Sequence, residues 1–291
     1  MLDRIEALQA LAEAGTMGRA AATLRVTQSA ISKRIGALEA QLGTKLIERH
    51  GRHVRLTPDA ERLLSEARPL LRNLREVLQP RSTRPEQRLR VAATDSLLAS
   101  WLPGTLRSAL DRLPELQLEL HAHRGPMLLE RVRSGDYAIG LCPAGAGDAE
   151  LVARELAREA MVIVPARLAP LTPGPVVPVW AIEQRSLTWE AIARRLPRVR
   201  RKAGFAIDVV GRLESFTALV QVARAGFANT LVPLGVASDL GIARDRLLPV
   251  PGLSRPIAAV GRRSTFERTA VRALLGALAD VLALRGRDLT F

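Results

Sequence analysis

Cys142 is the single cysteine among 291 residues, so the sequence holds no intrachain disulfide and no thiolate metal cluster. No apolar run is long enough to span a bilayer. The longest, Ala273 to Leu284, is short and is broken by Asp280. Met1-Leu2-Asp3-Arg4 leads straight into a helical pattern, without the charged segment and apolar run of an export signal. There is no internal repeat and no low-complexity tract. No G-x-S-x-G, P-loop or dinucleotide-type glycine pattern is present. These absences set the expectation of a soluble, cytoplasmic, non-enzymatic protein with no cofactor, no metal and no membrane partner.

Positive charge is present in excess. Forty-three Lys and Arg oppose 29 Asp and Glu, for a net charge of +14, which points to a polyanionic partner or to a sequence that uses Arg for every surface charge. Residues 1–79 carry 13 basic and nine acidic side chains, so most of the surplus lies beyond them. With 47% hydrophobic and 25% charged residues the composition is globular, and the length fits about two or three domains.

The first block reads as three helices. Ile5, Leu8, Leu11 and Ala12 share one helix face. Gly15-Thr16 ends that helix and caps the next, a short one with the small face Ala20, Ala21, Ala22. After the tight turn at Arg25-Val26-Thr27, a third helix from about Gln28 to Leu42 buries Ile31, Ile35, Leu38 and Leu42 and ends at Gly43. Small residues on the second helix let the third cross it closely, as a helix-turn-helix requires. The third is then the recognition helix. Its polar residues Gln28, Ser29, Ser32, Lys33 and Arg34 face a major groove, Gln and Arg suited to base edges and Ser and Lys to phosphates. Lys45 to Leu56 follows as a hairpin turning at His50-Gly51. Between residues 25 and 55, seven basic side chains (Arg25, Lys33, Arg34, Lys45, Arg49, Arg52, Arg55) oppose only Glu39 and Glu48. Double-stranded DNA is the partner this charge fits, and Thr16, Arg25, Thr27, Arg49, Arg52 and His53 complete the expected contact set.

Thr57-Pro58 caps a fourth helix on which Ala60, Leu64, Ala67, Leu71, Leu74 and Leu78 form a heptad seam that asks for a second helix. Its roughly 22 residues span about 33 Å, with a kink expected at Pro69. Gln79 to Gln87 has a linker's composition. Beyond it strands are expected at 89–93, 116–122, 137–141, 160–165, 176–182 and 206–210. Helices are expected at 97–113, 127–134, 188–196, 216–225 and 266–284. This alternation predicts α/β units around mostly parallel sheets.

The run Ala20-Ala21-x-x-Leu24-x-Val26-x-Gln28-Ser29-Ala30-Ile31-Ser32-x-x-Ile35-x-x-Leu38-Glu39-x-x-Leu42-Gly43, then Leu46-Ile47-x-Arg49 and Val54-x-Leu56-Thr57, resembles the LysR-type transcriptional regulators. The match is dense over residues 5–68. Departures are Ile47 for the usual Phe, Thr16-Met17 for Ser-Phe, and Asp59-Ala60 for Ala-Gly. Beyond that region the likeness rests on length, element order, Leu102-Pro103, Ala225-Gly226-x-Ala228 and Val232-Pro233. It implies an N-terminal all-α winged helix-turn-helix (1–57) with a dimerising linker helix (58–79), a hinge (80–87), and a C-terminal α/β two-lobed periplasmic-binding-protein-like domain (88–291). Lobe I would be about 88–164 and 255–291, lobe II about 165–254. The implied partners are promoter half-sites, a small-molecule effector and further copies of the chain as homodimer or homotetramer; RNA polymerase is a further candidate.

Four segments stand where strands end and helices begin, the usual place for a ligand in such folds. They are Thr94-Asp95-Ser96, His123-Arg124-Gly125-Pro126, Ser186-Leu187-Thr188 and Glu214-Ser215-Phe216-Thr217. The expected effector contacts are Thr94, Ser96, Leu97, Arg124, Pro126, Ser186, Thr188, Ser215 and Phe216, although each Ser or Thr serves equally as a plain N-cap. His121 and His123 share a strand face but lack companion ligands with metal-site spacing. The cluster Arg194, Arg195, Arg198, Arg200, Arg201, Lys202 is either a solvated face or a site for an anion, flanking DNA or a neighbouring subunit. A constitutive or architectural DNA binder, its C-terminal region only oligomerising, is the alternative to effector control.

Overall fold

The computed structural model describes residues 1–50, 53–78, 88–144, 150–284 and 289–290, and only the backbone of residues 49, 50, 53, 68, 69 and 72–78. Two compact units result, Met1–Arg81 and Ser82–Phe291.

In the first unit α1 (Leu2–Ala14), α2 (Met17–Leu24) and α3 (Gln28–Leu42) precede a hairpin of β1 (Ile47–His50) and β2 (His53–Leu56), and α4 (Pro58–Leu78) follows. Left-handed residues close all three opening helices, at Gly15, Arg25 and Gly43. Ala7, Leu11, Ala20, Ala21, Ile31 and Ile35 form the core where the three helices cross. A second cluster of Leu8, Leu38, Leu46, Ala60 and Leu64 ties the hairpin's start and α4 to them. Helix α4 runs unbroken through Pro69. On it Ala60, Leu64, Ala67 and Leu71 are buried, whereas Leu70 is exposed; the Leu74 and Leu78 side chains of the expected seam lie outside the described residues.

The second unit is built on one eight-stranded sheet. Its elements are β3 (Arg88–Thr94), α5 (Asp95–Leu98), α6 (Leu102–Leu110), β4 (Gln117–His123), α7 (Gly125–Arg133), β5 (Ile139–Pro143), β6 (Val152–Val164), β7 (Val176–Ile182), α8 (Leu187–Ala193), α9 (Leu196–Ala203), β8 (Ala206–Leu213), α10 (Phe216–Arg224), β9 (Thr230–Pro233), α11 (Leu234–Asp239), β10 (Leu248–Gly261) and α12 (Thr269–Leu284). Strand order is β4-β3-β5-β10-β6-β9-β7-β8. Pairing is parallel in β4-β3-β5 and in β9-β7-β8, and antiparallel wherever β6 or β10 takes part.

Two cores flank the long β6–β10 pair. Leu89, Val91, Ile139, Leu141, Leu102, Leu106, Leu274 and Leu278 fill lobe I. Val162, Val164, Val177, Val179, Leu219, Val220, Leu231 and Val236 fill lobe II. Strand β6 changes lobes near Glu159: Val152, Leu156 and Ala157 pack in lobe I, and Met161 to Val164 in lobe II. The crossing thus precedes the boundary expected at residue 164.

At that crossing Glu159 and Arg255 face each other in register, and neither is exposed. Arg255 Nε donates to Glu159 Oε2 at 2.9 Å, and Nη2 lies 2.7 Å from the same oxygen. The other carboxylate oxygen, Oε1, accepts from the backbone N–H of Gly235 at 2.9 Å. A Cβ at Gly235 would sit 2.5 Å from Trp101 Cδ1 and 2.6 Å from Glu159 Oε1, so glycine is required there. Removing one member of a buried pair leaves an uncompensated charge in a dry site. Trp101, Trp180 and Trp189, the only tryptophans, all belong to the second unit. Urea unfolding of the full chain followed by tryptophan fluorescence is therefore expected to show Glu159→Gln destabilised by about 3–5 kcal/mol. A loss under about 1 kcal/mol would mean that the pair does not hold the crossing.

Candidate DNA-reading surface and ligand cleft

Helix α3 begins with Thr27, whose hydroxyl accepts from the N–H of Ala30 at 3.2 Å and pairs with Ser29 Oγ at 2.9 Å. Thr16 caps α2 in the same way, accepting from Arg19 N at 3.4 Å. With Ile31, Ile35 and Leu38 buried, a period of 3.6 turns Ser29, Lys33 and Gly36 outward, with Ser32 beside them. Gln28, Ser29 and Lys33 are exposed. Arg34 lies on the flank toward α1, 3.8 Å from the Asp3 carboxylate. Arg25 is exposed in the turn between α2 and α3. The side chains of Arg49 and His53, and Arg52 altogether, fall outside the described residues.

The start of the wing is bonded to α3 through the carboxylate of Glu39, which sequence patterning had counted as an opposing charge. Glu39 accepts from Leu46 N at 2.9 Å and Ile47 N at 3.4 Å, and pairs with Lys45 Nζ at 3.0 Å. Burial acts to raise its pKa, but those two N–H groups and the Lys45 ammonium outweigh it and hold the carboxyl below its ordinary value of 4.5. Val54 N donates to Gly15 O at 3.2 Å, and Thr57 Oγ1 to Lys45 O at 2.8 Å, so both ends of the hairpin are fastened.

In the second unit the carboxyl ends of the parallel strands of both lobes open on one cleft of about 670 Å³. All four segments singled out in the sequence line it. Of the nine expected contacts, Thr94, Ser96, Arg124, Pro126, Ser186, Thr188, Ser215 and Phe216 are on its wall. Leu97 is not. It is fully buried in the lobe I core, because the single turn of α5 that presents Asp95 and Ser96 to the cleft points its apolar residue inward.

Hydrogen bonding separates caps from free groups. Ser186 accepts from Trp189 N at 3.1 Å and Ser215 from Ala218 N at 3.3 Å, so both hydroxyls serve as helix caps. Thr94 precedes α5 but makes no cap bond, and its buried hydroxyl has no partner among the described residues. Ser96 Oγ and Thr188 Oγ1, from opposite lobes, both accept from Arg255 Nη1, at 3.0 and 2.9 Å. Arg124 reaches across the mouth to Glu214 at 2.6 Å and stands 3.9 Å from Glu183. The Glu214 carboxylate, with Glu183 and Asp95 near it, raises the guanidinium's pKa. Sequence patterning missed Glu183, Arg185 and Val236 on the wall, and Arg255 and Glu159 beneath it; nothing in a single sequence joins positions 96 apart.

Two other groups resolve simply. His121 bonds Glu119 and His123 bonds Tyr137, each at 2.7 Å. Cys142 is buried among Leu128, Val132 and Tyr137, and burial pushes its thiol up to about 12.

Residues 2–61 match the family model for bacterial regulatory helix-turn-helix proteins of the lysR family, and residues 82–283 match that for the LysR substrate binding domain. The chain belongs to the LysR family of transcriptional regulators. As a LysR-type regulator it joins a DNA-binding helix-turn-helix to a substrate-binding domain of two lobes. It is similar to an uncharacterized HTH-type transcriptional regulator of Vibrio cholerae, 29% identical over 97% of this chain and 96% of that one. It is also similar to a probable hydrogen peroxide-inducible genes activator of Mycobacterium avium, 28% identical over 96% and 93% of the two chains. Its fold matches that of full-length CbnR complexed with its target DNA, with a TM-score of 0.69 at 22% identity over 97% and 99% of the chains. No described helix of this LysR-type regulator is long and apolar enough to cross a membrane.

Two outcomes follow. Glu39→Ala is expected to cost the first unit about 1.5–3 kcal/mol, the range for hydrogen bonds to a charged group, read by circular dichroism melting. Because the folded carboxyl lies below 4.5, its contribution is complete above that pH and fades as pH falls through the lowered value; an equal loss at pH 7 and at pH 3 would contradict this. Cys142 is expected to resist a thiol reagent in native protein and react once denatured; rapid native labelling would contradict its burial.

Proposed function

We propose that this regulator reads paired DNA half-sites with α3 and the wing, and that a small effector held between its lobes sets how tightly it does so. The observation that carries the reading is the cleft, where strand ends and helix starts of both lobes present polar groups on either side of the crossing strands. A ligand touching both walls stabilises one lobe arrangement over another, which is what an effector must do. On DNA, Gln28 and Ser32 are assigned to base edges, and Ser29, Lys33, Thr16, Thr27 and Arg25 to phosphates; Arg49, Arg52 and His53 of the wing are assigned alongside them. Arg34, on the flank of α3 near Asp3, is assigned to DNA with them. The seam of α4 supports pairing with a second copy, and assembly as a homodimer or homotetramer. The protein is read as cytoplasmic and without catalytic activity. Thiol-based peroxide sensing receives no support from a buried Cys142.

Selection of bound duplexes from a random pool by the full-length protein is the test. Half-sites should be enriched with centres about 10–10.5 bp apart or a multiple of that. Lys33→Ala should weaken binding uniformly and reduce the salt slope by about one, whereas Gln28→Ala should cost about 1–3 kcal/mol and relax preference at one position. Failure to enrich any sequence at physiological salt would refute the reading.

A further inference from the structure

The cleft has two electrostatic faces. Its wall carries four carboxylates, Asp95, Glu130, Glu183 and Glu214, against two guanidiniums, Arg124 and Arg185, in a chain whose net charge is +14. Arg124 is already engaged by Glu214 and Glu183. A purely anionic ligand entering this mouth meets repulsion, and a positive group meets attraction.

The floor is the reverse. Arg255 Nη1 donates to both Ser96 Oγ and Thr188 Oγ1. A hydroxyl that accepts from a cation has its own proton left to give. Among the described residues neither proton has an acceptor, although Thr188 is only 3% exposed. Thr94, 7% exposed, adds a third hydroxyl on the cleft wall with no partner among the described residues. Buried polar hydrogens are nearly always satisfied. Two of these three groups, Thr94 and Thr188, are buried, so the cleft calls for an acceptor supplied from outside the chain, and the guanidinium behind Ser96 and Thr188 favours a negative one. The lining also includes the apolar residues Met127, Ile182, Leu187, Phe216 and Val236.

We propose that the effector is a small zwitterion of the amino-acid class, its carboxylate accepting from Ser96 and Thr188, its ammonium facing Asp95 and Glu183, and its apolar side chain packed on Phe216. This rests on the cleft being the effector site and adds the chemistry of the ligand. Ser96 belongs to lobe I and Thr188 to lobe II, so one carboxylate held by both ties the lobes together over Arg255.

The test is a thermal-shift screen of the full-length protein with the twenty L-amino acids. Every compound that raises Tm is followed by calorimetry beside its matching amine and its matching deaminated acid. One or more apolar amino acids should bind, and neither half-molecule should bind as well. Thr188→Val, which keeps the shape and removes the hydroxyl, should weaken binding at least about tenfold. Glu183→Gln, a half-exposed change that leaves the core intact, should narrow the preference for the amino acid over its deaminated acid. No binding by any amino acid, or equal binding of the deaminated acid, overturns the proposal. If a pure anion binds and Thr188→Val abolishes it, the zwitterion falls while the cleft survives as the effector site. If an amino acid binds equally to wild type, Thr188→Val and Ser96→Ala, the cleft assignment itself falls.

Discussion

The guanidinium of Arg255 and the carboxylate of Glu159 meet where the two longest strands pass from one lobe to the other, and both are fully buried. Desolvating two charges is costly, and a pair of this kind is tolerated only when its remaining polar atoms are also bonded. Here Arg255 Nη2 has only its ion-pair contact with Glu159, and the other bonds go to the parts that must be placed. Glu159 takes the N–H of Gly235 at the start of α11 in lobe II, while Arg255 holds a serine of lobe I and a threonine of lobe II. The geometry of the cleft floor depends on this one pair.

Around it the lobes approach at two further places. Leu187 of α8 packs into a small cluster with Leu128, Val132 and Tyr137 of lobe I, and only glycine fits at position 125, where a Cβ would lie 2.5 Å from Leu187 Cγ. At the mouth, exposed Arg124 reaches Glu214. An exposed pair of that sort contributes little to stability but is easily exchanged for a ligand's charge. The floor is thus built on a buried ion pair and the rim on an exposed one, a division that suits a site which orients one end of a ligand and selects the other by charge.

In the DNA-binding unit the same economy appears in Glu39. It lies on the recognition helix yet its carboxylate anchors the first residues of the wing. Helix α3 and the wing are thus held in one register by a single side chain.

Local pattern was enough for much of this protein. The small face of α2, the cap at Thr16, the glycines after α1 and α3, and the helical period of Ile31, Ile35 and Leu38 specify the helix-turn-helix, because each acts within a few residues of itself. The four cleft segments were legible for the same reason: Ser and Thr at strand-to-helix joints are a local signal. Strand β10 was not legible, since Pro249, Pro251, Gly252 and Pro256 read as loop until antiparallel pairing with β6 and β5 fixes them. The first half of β6, with Arg154, Glu155, Arg158 and Glu159, is too polar to announce a strand, and the Arg cluster at 194–202 hid helix α9. What tertiary structure alone decided is which hydroxyls cap helices and which stay free, and that Arg255 meets Glu159. Those facts arise from groups far apart in sequence sharing one desolvated place, and no local rule of spacing carries them.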